Sequence, residues 1–67
     1  MNYIDPSAIL DLSVKVGFFT VVEKDVKIGK NVIIGNRVTV HEGTVIGENT
    51  TIADGAVLGK PPKPAKT

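Results

Sequence analysis

The chain has 67 residues, no cysteine, one histidine, and eight basic against seven acidic side chains, for a formal charge of +1. That length allows one small domain, and without cysteine neither a disulfide framework nor a thiolate metal site can reinforce its core. The near-neutral balance supplies no field that would draw in nucleic acid or a membrane surface, and no apolar run approaches the roughly 20 residues of a membrane span. Valine, isoleucine and threonine supply 23 of the residues and leucine only three, a composition that favours strand over helix. The first residues lack the basic-then-apolar pattern of a secretory leader, and a cytoplasmic location is expected. A chain this short needs either a very regular architecture or a partner.

Regularity is present from Ile4 onward. In sixes the chain reads IDPSAI, LDLSVK, VGFFTV, VEKDVK, IGKNVI, IGNRVT, VHEGTV, IGENTT, IADGAV and LGKPPK. The first slot holds Ile4, Leu10, Val16, Val22, Ile28, Ile34, Val40, Ile46, Ile52 and Leu58, all branched aliphatics. The fifth runs Ala8, Val14, Thr20, Val26, Val32, Val38, Thr44, Thr50 and Ala56, small or β-branched until Pro62. The second slot collects Gly17, Gly29, Gly35, Gly47 and Gly59. The fourth collects Gly43, Gly55, Asp25, Asn31 and Asn49, residues that tolerate positive φ.

Each hexad therefore reads as a short strand followed by a bend. Slots five and one point inward, two residues apart, and slot six between them points out. A helix would repeat its apolar positions at three and four instead of six. Strands this short bury nothing alone, so the economical solution is a three-sided coil of 18 residues that stacks on itself. Stacking predicts three interior columns: Ile4, Val22, Val40 and Leu58; Leu10, Ile28 and Ile46; Val16, Ile34 and Ile52. Three coils result, the minimum for a stable repeat stack.

This hexad pattern over residues 4–59 resembles the hexapeptide-repeat acyltransferase family. The resemblance implies an all-β fold, a left-handed parallel β-helix, with residues 1–3 as a cap and 60–67 as a Pro/Lys-rich tail or linker. It also implies a homotrimer of prisms packed side by side. The chemistry it implies is transfer of an acyl group from acetyl-CoA or an acyl carrier protein to an amino or hydroxyl group of a sugar, with a nucleotide-linked sugar as the expected acceptor. No tightly bound cofactor is expected, and nucleic acid and membrane are not expected partners.

Certain positions depart from the pattern or stand out within it. Phe18 and Phe19 fill slots that in most other hexads carry polar residues such as lysine, asparagine and glutamate, or glycine; they either cover the open end of the prism or anchor a subunit interface. Among the outward slots, Val21, Thr39 and Val57 form the single face free of charge, the expected packing surface for a neighbouring prism. Lys15, Ile33 and Thr51 form the second face, and Ile9, Lys27 and Val45 the third. The ending GKPPKPAKT holds three prolines that cannot donate to a strand ladder. Family enzymes often leave the prism on such a loop, so the resemblance reads this chain as the N-terminal portion of a longer enzyme, not catalytic by itself.

His41 is the one residue suited to proton transfer near neutral pH. It sits at a bend beside Glu42. By resemblance it is the candidate catalytic base, taking a proton from the acceptor as it attacks the thioester. No metal site is expected, because the metal-dependent carbonic anhydrases that share the fold of the family this chain resembles need three histidines and the chain has one. Threonines do not ladder from coil to coil, since no two of Thr39, Thr44, Thr50 and Thr51 are 18 apart. The alternative to an enzyme is a non-catalytic structural module that stacks or trimerises.

Overall fold

The computed structural model describes residues 1–60. Ten two-residue strands follow one another: β1 (Tyr3–Ile4), β2 (Ile9–Leu10), β3 (Lys15–Val16), β4 (Val21–Val22), β5 (Lys27–Ile28), β6 (Ile33–Ile34), β7 (Thr39–Val40), β8 (Val45–Ile46), β9 (Thr51–Ile52) and β10 (Val57–Leu58). Each occupies slots six and one of the hexad pattern. They assemble into three parallel sheets, β1-β4-β7-β10, β2-β5-β8 and β3-β6-β9. Every partner lies 18 residues away, as in Ile4↔Val22, Leu10↔Ile28 and Val16↔Ile34. The expected parallel β-helix of three 18-residue coils is therefore what forms.

Coil-to-coil hydrogen bonds clamp the stack. Asp5, Ile9, Asp11 and Val21 donate their N–H groups to the carbonyls of Val22, Val26, Ile28 and Val38 at 2.8–3.1 Å. Slot-one and slot-five side chains fill the interior: Val22, Val26, Ile28, Val32, Ile34, Val38, Val40 and Ile46 are buried. All belong to the middle of the stack. Ile4 stays 41% exposed at one end, while Ile52 and Leu58 are half-buried at the other. Thr20, the one buried polar side chain among the described residues, donates its hydroxyl to the carbonyl of Gly35 at 2.9 Å, which offsets the cost of its burial.

The bends explain the non-periodic residues. Positive φ occurs at slot four in Phe19, Asp25, Asn31, Arg37, Gly43, Asn49 and Gly55. Glycine, asparagine and aspartate accept this conformation readily, whereas phenylalanine and arginine there cost about 1–2 kcal/mol. Ser7 and Ser13, in the first two bends, do without it. Asp5 and Asp11 accept the N–H and the hydroxyl of Ser7 and Ser13 two residues on, at 2.6–3.0 Å. The serine hydroxyls then accept the N–H groups of Asp25 and Asn31 in the coil above. On the third edge Asp54 Oδ1 accepts the Asn36 N–H, and Asn36 Oδ1 accepts that of Phe18, each at 2.8 Å. Gly17 and Gly35 lie under these carbonyl and carboxylate oxygens, where a Cβ would meet Asn36 and Asp54.

At the start of the chain, Tyr3 belongs to β1, so pairing begins one residue ahead of the first hexad. Met1 and Asn2 continue the third edge downward, accepting the N–H groups of Phe19 and Thr20. They leave Ile4 uncovered. Of the tail expected over 60–67, only Lys60 is described; its prolines lie outside the described residues.

Two predictions follow from burial and from the bends. Ile34→Ala is expected to cost about 3 kcal/mol in urea denaturation, and Ile4→Ala less than about 1.5 kcal/mol, because its side chain already meets solvent. Hydrogen bonds from the backbone and hydroxyl of Ser7 hold the Asp5 carboxyl below its ordinary value of 3.8, and those from the hydroxyl and backbone of Ser13 do the same for Asp11. A lowered folded value means that the stability these groups lend is complete above pH ~4 and is lost as pH falls through the lowered values. The melting midpoint should drop over that acid range, and less steeply in the Asp5→Asn, Asp11→Asn variant, whose amide oxygens keep the bends without titrating.

Candidate functional site

The bend after β7 carries His41 in slot two, and the 18-residue coil places Glu23 directly beneath it. Glu23 Oε1 lies 3.2 Å from His41 Nδ1 and accepts the N–H of Glu42 at 3.0 Å. The carboxylate thus assigns the ring proton to Nδ1 and leaves Nε2 as the acceptor. The imidazole is mostly enclosed, with a side-chain exposure of 18% against 32% for Glu23. The sequence placed His41 on a bend beside Glu42; the fold seats the ring on Glu23. Glu42 turns to Lys24, at 3.8 Å, in an exposed ion pair worth little to stability.

Gly59 forms the roof of this edge. Its φ is +79°, and a Cβ there would strike the Thr44 hydroxyl and lie 3.5 Å from the Cβ of His41. Glu23, His41 and Gly59 are therefore one column at 18-residue spacing, a relation that sequence reasoning missed for Glu23. The signal was available in the hexads: Glu23 and His41 occupy the same slot exactly one coil apart.

Chemically, a carboxylate that holds one imidazole nitrogen leaves the other free to take a proton from a bound hydroxyl or amine. Among the described residues no group of three metal-ligating side chains comes together. The other sequence-selected positions lie elsewhere. Phe18 and Phe19 sit on the edge after β3, both largely exposed. Val21, Thr39 and Val57 share the β1-β4-β7-β10 sheet with Tyr3, and that outer face carries no charged side chain.

Two overlapping stretches, residues 13–42 and 25–60, match the family described as bacterial transferase hexapeptide (six repeats). Together with ten strands in 18-residue register, this places the chain in the hexapeptide-repeat family of β-helical proteins. Neither the curated proteins nor the solved structures contain a match.

Substitution at the roof tests how the column is held. Gly59→Ala combines positive φ with a clash against Thr44, so it should destabilise the chain by about 1–3 kcal/mol, read as a lower denaturation midpoint.

Proposed function

We propose that this chain is the β-helical module of an acyltransferase that moves an acyl group from coenzyme A or an acyl carrier protein to an amino or hydroxyl group of a sugar, with a nucleotide-linked sugar as the favoured acceptor. The observation that carries the reading is the contact of 3.2 Å between Glu23 and His41 in a chain of the transferase hexapeptide family. In this reaction the acceptor's lone pair attacks the thioester carbonyl and the C–S bond breaks, releasing the thiol. His41 Nε2 takes the acceptor's proton and returns it to the departing sulfur, and Glu23 steadies the imidazolium that forms in between.

The same proposal includes a trimer of side-by-side prisms. Its support is the uncharged face of Tyr3, Val21, Thr39 and Val57, together with the small core that three coils enclose. An added prism would cover that face and bring a second surface up to the column edge.

The test is a thiol-release assay with acetyl-CoA against a panel of amino sugars and nucleotide-linked amino sugars. It is run on the 67-residue chain and on the product of the whole reading frame that contains it. His41→Ala should lower the rate about 10²- to 10⁴-fold, with a smaller loss in Glu23→Gln. Activity that survives His41→Ala removes the base assignment. No release with any acceptor in either protein makes the module a structural one. Thr39→Glu should dissociate the trimer in sedimentation equilibrium.

A further inference from the structure

The exposed large apolar side chains are unevenly placed. Of the ten among the described residues, seven, Met1, Tyr3, Ile4, Ile9, Leu12, Phe18 and Phe19, fall within residues 1–19, and the other three are spread over the remaining coils. At the opposite end the bends carry Glu48, Asn49, Asp54 and Gly55. The densest part of the apolar end is the edge after β3, where Met1 lies beneath Phe19 and Phe18 stands beside it. Met1 is 90% exposed, Phe18 67% and Phe19 65%. An open hollow of about 410 Å³ adjoins them, lined by Met1, Asn2, Tyr3, Phe19, Thr20 and Val21.

Phe19 is costly in two respects. Its backbone takes φ 57°, a conformation that aspartate, asparagine or glycine fills at five of the other six bends of this kind. Its ring is also left in water. Neither cost is offset by the isolated prism, because the ring is not part of the buried cluster.

We propose that this edge binds the same edge of a second copy of the chain, in a two-fold contact that joins two prisms at their N-terminal ends. The patch holds both halves of such a contact. Phe18 is the projecting group, and the hollow beside it is the recess, so a two-fold axis places each copy's Phe18 in the other's hollow. The area is sufficient. At about 150–250 Å² for each fully exposed aromatic side chain, three partly exposed aromatics with Met1 and Ile4 offer roughly 600 Å² per copy, at the lower end of the roughly 600–1,000 Å² per partner of specific interfaces. Closure by a two-fold axis also stops the open coil end from recruiting further chains, which an unprotected strand edge invites. This contact shares Tyr3 and Val21 with the uncharged face proposed above, so the side-by-side packing rests on Thr39 and Val57 where both contacts form; it requires no catalytic activity.

Sedimentation equilibrium of the 67-residue chain tests it, with circular dichroism to follow the fold. The probe is the variant Phe18→Asn, Phe19→Asn: asparagine suits the positive φ at position 19 and stands at slot three in Asn36. The expected result is half the wild-type mass with an unchanged strand spectrum. Phe18→Glu alone supplies a second variant, since Glu42 and Glu48 fill the equivalent slot, and it should halve the mass as well. Val57→Glu, on the same uncharged face but two coils from Val21, should leave the end-to-end contact intact, so a trimer that falls apart in this variant still yields dimers. A monomeric wild-type chain, or folded phenylalanine variants that keep the wild-type mass, would overturn the proposal.

Discussion

Everything in this molecule depends on a bend that must recur every six residues. A strand of two residues cannot hold a neighbour unless the chain returns in register after three bends. Most of those bends place one residue near φ +60°. Where the sequence offers asparagine, aspartate or glycine the bend forms at little conformational cost. Where it offers Asp-Pro-Ser or Asp-Leu-Ser, side-chain hydrogen bonds to Asp5 and Asp11 make the turn instead. Because the 18-residue register follows from the bends, so does every vertical pairing in the prism, from the valine columns to the stacked side chains on its edges.

The same geometry limits how much the chain can bury. A three-sided coil encloses only a thin column of side chains, and with three coils only the middle of the stack is covered above and below. Among the described residues, the eight buried apolar side chains all lie from Val22 to Ile46. Stability therefore concentrates at the centre, while the ends carry half-buried isoleucine and leucine. The vertical hydrogen bonds compensate in part, since each edge of the prism is laddered by side-chain oxygens as well as by backbone groups.

Register also builds the one chemically suggestive contact. Glu23 and His41 are remote in sequence terms and unremarkable one at a time, yet one coil brings carboxylate and imidazole within hydrogen-bond distance. A reading by neighbours in sequence pairs His41 with Glu42, whose side chain turns to Lys24 instead. The rule that stacked the valines had only to be applied to the polar slots. Phe19 illustrates the opposite case. Its slot demanded positive φ, and nothing about phenylalanine as a residue type announces that conformation, so the departure was legible but its backbone consequence was not.

The sequence by itself determined the period, the strand positions, the inward and outward slots and the partner of every strand, because a six-residue repeat with three sides leaves a single consistent register. It also carried the family, since that repeat is the family's signature. Tertiary structure decided what each polar or aromatic exception does: that Glu23 rather than Glu42 holds His41, that Gly59 must be a glycine because Thr44 lies against it, and that the apolar excess gathers at one end. Those outcomes depend on side-chain reach and on which coil lies above, and a linear pattern of residue types encodes neither.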